Sequence, residues 1–280
     1  MLAVIHWGPD PIIAHLGGFA LRWYSLLFAV GFIVGFFMLR KQFVQDKVNL
    51  DILDSLLLYS VVGTILGARI GNCLFYEFEY FSQHPAEILL PFKFSPEFEF
   101  TGFRGLASHG AMLGLIIAYW ILSKRTGKPI LWFLDRAALI SGICLASIRL
   151  GNFMNSEILG APFDGAWAVV FDKLPPPTGT TPRHPVQLYG FIVYMGLFIF
   201  MNWYYAKKRN TVKDGHIFAV GLTILGTLRF CMEFIKEHYV FDPDSIINMA
   251  QLLSLPMIIG GIILAYYTRQ QPTQSPILDE

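Results

Sequence analysis

Long apolar runs separated by short polar segments dominate the chain. Seven such runs are present, at approximately residues 20–39, 52–76, 106–123, 130–148, 187–206, 216–235 and 246–267. Each has close to the roughly 20 residues that an α-helix needs to cross a hydrocarbon layer of about 30 Å. The pattern therefore predicts an all-α polytopic membrane protein with about seven transmembrane helices.

The charges between the runs predict how the helices are oriented. Lysines and arginines follow the first, third, fifth and seventh runs, whereas the segments on the opposite side are acidic. Because basic residues concentrate on the cytoplasmic side, the N-terminus is predicted outside and the C-terminus inside. The first 20 residues contain no Lys or Arg, so the first run is expected to be a retained helix rather than a cleaved signal peptide.

Two long outer segments, residues 77–105 and 149–186, are rich in Pro, Gly and Phe and predict outer loops that form a small periplasmic cap. Residues 1–270 are accordingly predicted to form a single integral membrane domain. The polar, proline-containing residues 271–280 are expected to be a disordered cytoplasmic tail. No internal repeat is evident in the sequence, which disfavours a transporter built from inverted halves.

Composition supports a membrane protein and excludes several other classes. Hydrophobic residues make up 54% of the 280 positions and charged residues 15%, against about 25% charged in ordinary globular domains. The net charge of +1 makes a nucleic-acid partner unexpected. The three cysteines lie in apolar stretches without paired spacing and are interpreted as packing residues. No set of ligands at metal-binding spacing and no nucleotide motif is present, so neither a metal nor a cofactor is expected.

Several polar side chains interrupt the apolar runs or lie at their ends. They are Arg69 in the second run, His109 at the start of the third, Arg149, Asn152, Asn155 and Glu157 at the end of the fourth, and Arg229 and Glu233 late in the sixth. An arginine at mid-bilayer costs roughly 2.5–3.5 kcal/mol on insertion scales, so such residues usually face a polar interior. On the predicted orientation they lie toward the outer side, where they are expected to line one outward-facing cavity.

These residues also have purely structural interpretations. Arg229 and Glu233 are four residues apart and are suited to an internal ion pair. The Arg69 side chain is long enough to snorkel, placing its guanidinium at the membrane–water interface on the outer side. Arg149 and Asn152 are suited to capping a helix end and anchoring the loop that follows.

The functional interpretation rests on the chemistry of arginine in a partly desolvated pocket. Guanidinium groups bind phosphates and phosphodiesters, and in a membrane the simplest such ligand is a phospholipid head group. His109 offers a proton acceptor near neutral pH, although a histidine at a helix start is often structural. The residues thus favour chemistry on a phospholipid without identifying the acceptor.

Seven short motifs, spread in order from about residue 20 to residue 267, resemble those of one known family. They are Arg-Trp-Tyr at 22–24, Gly-Ala-Arg-Ile-Gly at 67–71 with Phe-Tyr at 75–76, Arg-Gly-Leu-Ala-Ser-His-Gly at 104–110, the run from Arg149 to Gly160, Arg-His-Pro-Val-Gln-Leu-Tyr at 183–189, Arg-Phe-Cys-Met-Glu-Phe at 229–234 and Gln-Leu-Leu-Ser-Leu-Pro at 251–256. The run at 149–160 is similar to the signature of prolipoprotein diacylglyceryl transferases of the bacterial inner membrane. The chain departs from the family pattern at Ala111, usually Gly, at Gly190, usually Glu, and at Leu225, usually Tyr.

The resemblance implies a reaction and a set of site residues. The family transfers the diacylglyceryl group of phosphatidylglycerol to the thiol of a lipobox cysteine in a prolipoprotein signal peptide, and it releases glycerol phosphate. Arg149 and Arg229 are then expected to hold the phosphate, and His109 to accept the thiol proton or position the head group. The remaining implied substrate-binding residues are Tyr24, Arg69, Asn152, Asn155, Glu157, Gly160 and Glu233, the last of which would orient Arg229.

Two other functions stay open on the sequence. A transporter or flippase would use the same cationic cavity as a pathway for phospholipid. An inactive family member would bind lipid or precursor without transferring anything, an alternative motivated by Leu225 in place of the family tyrosine.

Overall fold

The computed structural model describes residues 4–17, 19–90, 92–93, 99–100, 107–237 and 248–270. The described helices are α1 (Trp23–Gln45), α2 (Leu50–Phe75), α3 (Phe78–Gln83), α4 (Ala86–Leu89), α5 (Ser108–Thr126), α6 (Ile130–Met154), α7 (Val186–Lys208), α8 (His216–Met232) and α9 (Met249–Gln270), with 3-10 turns at Thr178–Thr180 and Glu233–Ile235. The predicted tail at 271–280 lies outside the described residues.

The long helices confirm the predicted class of an all-α polytopic membrane protein. Within the described residues, six of them are long and apolar enough to cross a membrane: α1, α2, α6, α7, the stretch from α8 through the following 3-10 turn, and α9. The 19-residue α5 is the seventh long helix. The total of seven crossings and the orientation with the N-terminus outside stay predictions.

Two segments differ from the sequence prediction in local structure. Helix α6 continues to Met154, six residues beyond its predicted end, so Arg149 and Asn152 lie on its last two turns. In the segment 77–105, where loops were predicted, α3 and α4 form short helices. In α6 the added residues 151–153 are buried, so helical hydrogen bonding satisfies backbone groups that cannot bond to water.

The chain divides into two compact units, residues Met1–Leu39 with Asp135–Glu280 and residues Arg40–Leu134. The prediction of a single membrane domain over 1–270, with outer loops at 77–105 and 149–186, stays a prediction.

A glycine seam joins α2 and α5 in the unit 40–134. A β-carbon added to Gly67 would lie 2.7 Å from Cα of Gly114, and one added to Gly71 would lie 2.6 Å from Cα of Gly110. Ser60 and Tyr119 form a hydrogen bond of 2.9 Å across the same pair of helices. Lipid supplies no hydrophobic force between helices, so small residues that permit close backbone approach hold such a pair together.

In the other unit, a buried carboxylate joins the starts of α6 and α8. Asp135 is only 2% exposed. Its oxygens accept hydrogen bonds of 2.7 Å from the backbone N–H groups of Gly215 and Phe218, which the first turn of a helix otherwise leaves unpaired. The side chain of Arg136 donates to the hydroxyl of Tyr205 at 3.3 Å. These partners explain how a helix with two charges near its start remains buried.

Two separate strand pairs belong to this unit, and one of them packs against the C-terminal end of α6. Strand β1 (Ile5–Trp7) pairs in parallel with β6 (Val169–Phe171), and β2 (Ile12–Leu16) pairs antiparallel with β3 (Phe19–Arg22). The Trp7 ring stacks on Phe153 at 4.3 Å between ring centroids, and the Trp7 indole donates to the Phe153 carbonyl oxygen at 2.9 Å. The pair of β1 and β6 therefore packs against the end of α6. In the other unit, β4 (Phe92–Lys93) and β5 (Glu99–Phe100) form a third pair.

Candidate active site

Arg149 lies on the penultimate turn of α6, and its side chain extends along α7. A β-carbon added to Gly190 would lie 3.0 Å from both Cγ and Cδ of Arg149. The guanidinium carbon is 5.8 Å from the centroid of the Tyr194 ring. Gly190, one of the departures from the family pattern, therefore gives the aliphatic part of Arg149 a close backbone surface.

Tyr24 packs against the same turn of α6 from the first turn of α1. A β-carbon added to Gly151 would lie 2.7 Å from Cδ2 of the Tyr24 ring. Tyr24 also lies within electrostatic range of Arg149 and Glu157. The structure thus places an aromatic ring from near the N-terminus within electrostatic range of a guanidinium and a carboxylate that lie eight residues apart in the run 149–160.

Two asparagine side chains hold the carboxylate of Glu157. Asn152 donates to Oε2 at 3.2 Å and Asn155 donates to Oε1 at 3.1 Å. The backbone N–H of Glu157 donates to the carbonyl oxygen of Asn152 at 2.9 Å, and the side chain of Gln187 donates to the Glu157 carbonyl oxygen at 2.7 Å. Both oxygens of the Glu157 carboxylate therefore accept hydrogen bonds from asparagine side chains just after the fourth apolar run.

The loop carrying Glu157 is strained. Ser156 and Ile158 both have positive φ angles, of 55° and 56°. This left-handed region costs a non-glycine residue roughly 1–3 kcal/mol, and it is least suited to a β-branched side chain. The hydrogen bonds to Glu157 counteract this strain and set the direction of its side chain.

Three buried amide oxygens near this loop have no hydrogen-bond partner among the described residues: Oδ1 of Asn152, Oδ1 of Asn155 and Oε1 of Gln187. A buried acceptor without a partner costs about 1–3 kcal/mol. Such acceptors are chemically suited to hydroxyl donors, including those of a glycerol.

Gly160 connects the signature segment to the residues that follow α8. Its position leaves no room for a side chain, because a β-carbon would lie 2.8 Å from Cβ of His184 and also against the His184 carbonyl oxygen. Gly160 forms an antiparallel bridge with Lys236. The side chain of Arg183 donates to the Gly160 carbonyl oxygen at 3.0 Å and pairs with Glu237 at 2.8 Å.

At the end of α8, Glu233 forms an ion pair with Lys236. The sequence suggested a pair between Glu233 and Arg229, four residues earlier. The helix instead tightens into a 3-10 turn at Glu233, and residues three apart in a 3-10 helix lie one above the other. The Glu233 carboxylate therefore contacts Lys236, a residue that the sequence analysis did not single out.

The charges of both Arg149 and Arg229 act on Lys236. Burial lowers the pKa of the Lys236 ammonium below its ordinary value; the Glu233 carboxylate raises it, and the charges of Arg149 and Arg229 lower it. Only nearby charges have such an effect through a protein. Lys236 therefore lies within electrostatic range of both arginines.

Arg69 and His109 belong to the unit 40–134. Arg69 is 6% exposed and donates to the carbonyl oxygens of Glu87 at 2.7 Å and Ile88 at 3.0 Å. Its guanidinium carbon lies 4.7 Å from the centroid of the Phe81 ring. These contacts give Arg69 a role in anchoring α4 to α2. His109 is exposed on the first turn of α5.

Comparison with known proteins identifies the family. A family model for prolipoprotein diacylglyceryl transferase matches residues 11–267. The chain belongs to this family. The resemblance drawn from the seven motifs is thereby confirmed.

Curated relatives that carry the name phosphatidylglycerol–prolipoprotein diacylglyceryl transferase match nearly the whole chain. One from Bacteroides fragilis is 38% identical over 270 residues, which is 95% of this chain and 96% of the relative. One from Tolumonas auensis is 36% identical over 263 residues, covering 93% and 96%. One from Porphyromonas gingivalis is 38% identical over 285 residues, covering 96% of each.

Within this member of the diacylglyceryl transferase family, one unit gathers most of the predicted site residues. Those in the unit formed by residues 1–39 and 135–280 are Tyr24, Arg149, Asn152, Asn155, Glu157, Gly160, Arg229 and Glu233. The described side chains there provide cations for a phosphate, fixed amides and a carboxylate. The arrangement is suited to binding a polar head group that carries both a phosphate and hydroxyls.

Proposed function

We propose that this protein transfers the diacylglyceryl group of phosphatidylglycerol to the thiol of a lipobox cysteine, as the names of its relatives describe. The acceptor is the signal peptide of a prolipoprotein, and the reaction takes place in the bacterial cytoplasmic (inner) membrane. The observation that carries the proposal is that the mostly buried Lys236 lies within electrostatic range of both Arg149 and Arg229, in a unit whose long helices are apolar enough to cross a membrane.

The reaction is a displacement at the glycerol carbon that bears the phosphate. The bond from sulfur to this carbon forms while the bond from the carbon to the phosphate oxygen breaks. Glycerol phosphate leaves, and the negative charge on its phosphate increases because a phosphodiester becomes a phosphomonoester. Arg149 and Arg229 are proposed to bind the phosphate, because fixed cations stabilise charge that develops as the bond breaks.

The remaining site residues are proposed to orient the head group and the thiol. Glu157 and the unpartnered oxygens of Asn152 and Asn155 would accept hydrogen bonds from the glycerol hydroxyls, with Tyr24 packed beside them. A free thiol has a pKa of about 8.5 and only the thiolate attacks well. The exposed ring of His109 is proposed to accept the thiol proton, since imidazole is an effective base near neutral pH.

A single incubation tests the activity. Purified protein is mixed with phosphatidylglycerol vesicles and a synthetic lipobox peptide, and the peptide mass is measured. A mass increase equal to one diacylglyceryl group is expected, and it should be absent from a peptide with serine in place of the cysteine. An unmodified peptide contradicts the proposal. Lipid retained by the protein would then favour an inactive binder, and lipid moved between leaflets would favour a flippase.

The proposed role of Arg149 is tested by Arg149→Lys. Lysine keeps the charge but loses the two-pronged donor geometry, so transfer should fall by roughly 100-fold, as for the loss of one fixed donor at a developing charge. Arg40→Lys, at an exposed position on α1, is the matched control and should retain full activity. Near-normal transfer by Arg149→Lys would remove this residue from the phosphate site.

A further inference from the structure

Lys236 is held in place by backbone pairing. The N–H of Ala161 donates to the carbonyl oxygen of Ile235 at 3.0 Å, and the N–H of Glu237 donates to the carbonyl oxygen of Leu159 at 3.1 Å. These bonds flank the bridge between Gly160 and Lys236. The residue therefore has a fixed position against the signature segment.

The neighbouring side chains of Lys236 and Glu237 pair with different partners. Successive side chains in extended backbone point in opposite directions. Glu237 pairs with Arg183, whereas Lys236 pairs with Glu233 and lies within electrostatic range of Arg149 and Arg229. The Lys236 side chain is only 16% exposed, so its ammonium belongs to the interior of the site rather than to the solvated surface.

A simple ion pair with Glu233 does not account for the charges around Lys236. Among the described residues of this region, apart from the Arg183–Glu237 pair, whose charges cancel, three cations, Arg149, Arg229 and Lys236, accompany two carboxylates, Glu233 and Glu157. The excess of one positive charge matches a phosphodiester, which carries one negative charge. Without Lys236 the region would be neutral before the lipid binds and negative afterwards, and it would oppose the further charge that develops on the leaving phosphate.

We propose that Lys236 is a third phosphate-binding cation, which contacts the leaving phosphate of the lipid while Glu233 holds its ammonium in place. This inference rests on the proposed function and adds a residue to it. Because the phosphate gains negative charge as its bond to carbon breaks, Lys236 should favour the transition state and the released glycerol phosphate more than the bound phospholipid.

Three substitutions separate this role from a structural one. Lys236→Arg keeps the positive charge, Lys236→Gln keeps a hydrogen bond to Glu233 without the charge, and Lys236→Met keeps only the aliphatic part. Lys207→Met, at an exposed position on α7, is the matched control. Thermal unfolding in detergent identifies any variant that fails to fold.

The first measurement is steady-state transfer with phosphatidylglycerol in mixed micelles. We expect kcat to fall by about 10- to 100-fold in Lys236→Gln and Lys236→Met, with a smaller change in KM. Lys236→Arg should stay within about threefold of the unmodified protein, a difference of about 0.7 kcal/mol. Unchanged kcat in Lys236→Gln, or an equal loss in a folded Lys236→Arg, overturns the proposal.

The second measurement does not require turnover. Binding of glycerol phosphate to the purified protein is measured by calorimetry, and the affinity should fall by about tenfold or more in Lys236→Gln but not in Lys236→Arg. Equal affinity in all variants overturns the assignment. If the protein without substitutions transfers no diacylglyceryl group to a lipobox peptide, the proposed function fails. This binding measurement still decides whether Lys236 is a phosphate ligand.

Discussion

The contact between α8 and α9 offers a sharp test, because two adjacent glycines of α9 have opposite surroundings. A β-carbon added to Gly261 would lie 2.8 Å from the backbone nitrogen of Thr223 and 2.9 Å from the carbonyl oxygen of Ala219. A β-carbon added to Gly260 would meet nothing within 4 Å. The variants Gly261→Ala and Gly260→Ala therefore make the same chemical change in the same helix in two different environments.

The expected magnitude follows from these distances. Ordinary carbon contacts lie at about 3.5 Å, so Gly261→Ala would require α8 and α9 to separate by roughly 0.7 Å. Overpacking of this kind costs about 1–3 kcal/mol, offset by up to about 1 kcal/mol because alanine favours the helix. Gly260→Ala gains the helix propensity of alanine without the cost of overpacking. The two variants should therefore differ by about 1–3 kcal/mol in free energy of unfolding, with Gly261→Ala the less stable.

Equilibrium unfolding in mixed micelles, followed by circular dichroism, measures this difference directly. The transfer assay adds a second readout, because Gly261 packs on the helix that carries Arg229 near its end. We expect Gly261→Ala to lose activity and Gly260→Ala to retain it. Equal unfolding free energies for the two variants would refute the close contact between these helices.

Three other predictions concern separate parts of the same unit. Asp135→Ala should lower the free energy of unfolding by about 2–4 kcal/mol, since it leaves the N–H groups of Gly215 and Phe218 buried without a charged acceptor; chemical unfolding measures this, and a change under about 0.5 kcal/mol would contradict it. Ile158→Gly should raise the free energy of unfolding by about 1 kcal/mol, because glycine adopts the positive φ angle without strain; a lower midpoint in the same experiment would argue against strain there. The transfer rate of Lys236→Arg, divided by that of the wild-type protein, should increase at alkaline pH. Burial and the charges of Arg149 and Arg229 lower the pKa of Lys236 despite the opposing effect of Glu233, so Lys236 loses its charge there, whereas arginine stays charged. A ratio that is constant with pH would contradict this.

The sequence predicted the membrane-spanning helices well because their signal is the length of each apolar run, a local property. It also led to the prediction that Arg149 and Arg229 line one polar cavity, since charged side chains in an apolar bundle usually face a polar interior. That shared cavity stays a prediction. The role of Asp135 was not predictable in this way. Its two backbone partners lie about 80 positions along the chain, and no spacing within α6 indicates them.

Lys236 was overlooked for a different physical reason. It follows the sixth apolar run and resembles an ordinary basic residue at a helix end. The spacing of four between Arg229 and Glu233 suggested a pair on a continuous α-helix, but the 3-10 turn at Glu233–Ile235 changes the partner to the residue three positions on. The spacing of three between Glu233 and Lys236 was the signal available in the sequence, and its meaning depends on where the α-helix ends.

The hydrogen bond between Asp135 and Gly215 ties α6 to the start of α8 at equal sequence distances from Arg149 and Arg229. Fourteen residues separate Asp135 from Arg149 along α6, and fourteen separate its partner Gly215 from Arg229 along α8. At about 1.5 Å per residue, each arginine is about 21 Å of helical rise from that shared contact. Inserting one residue in either helix would lift one arginine by about 1.5 Å and rotate it by about 100°, which would misalign the pair even though every residue of the site was still present.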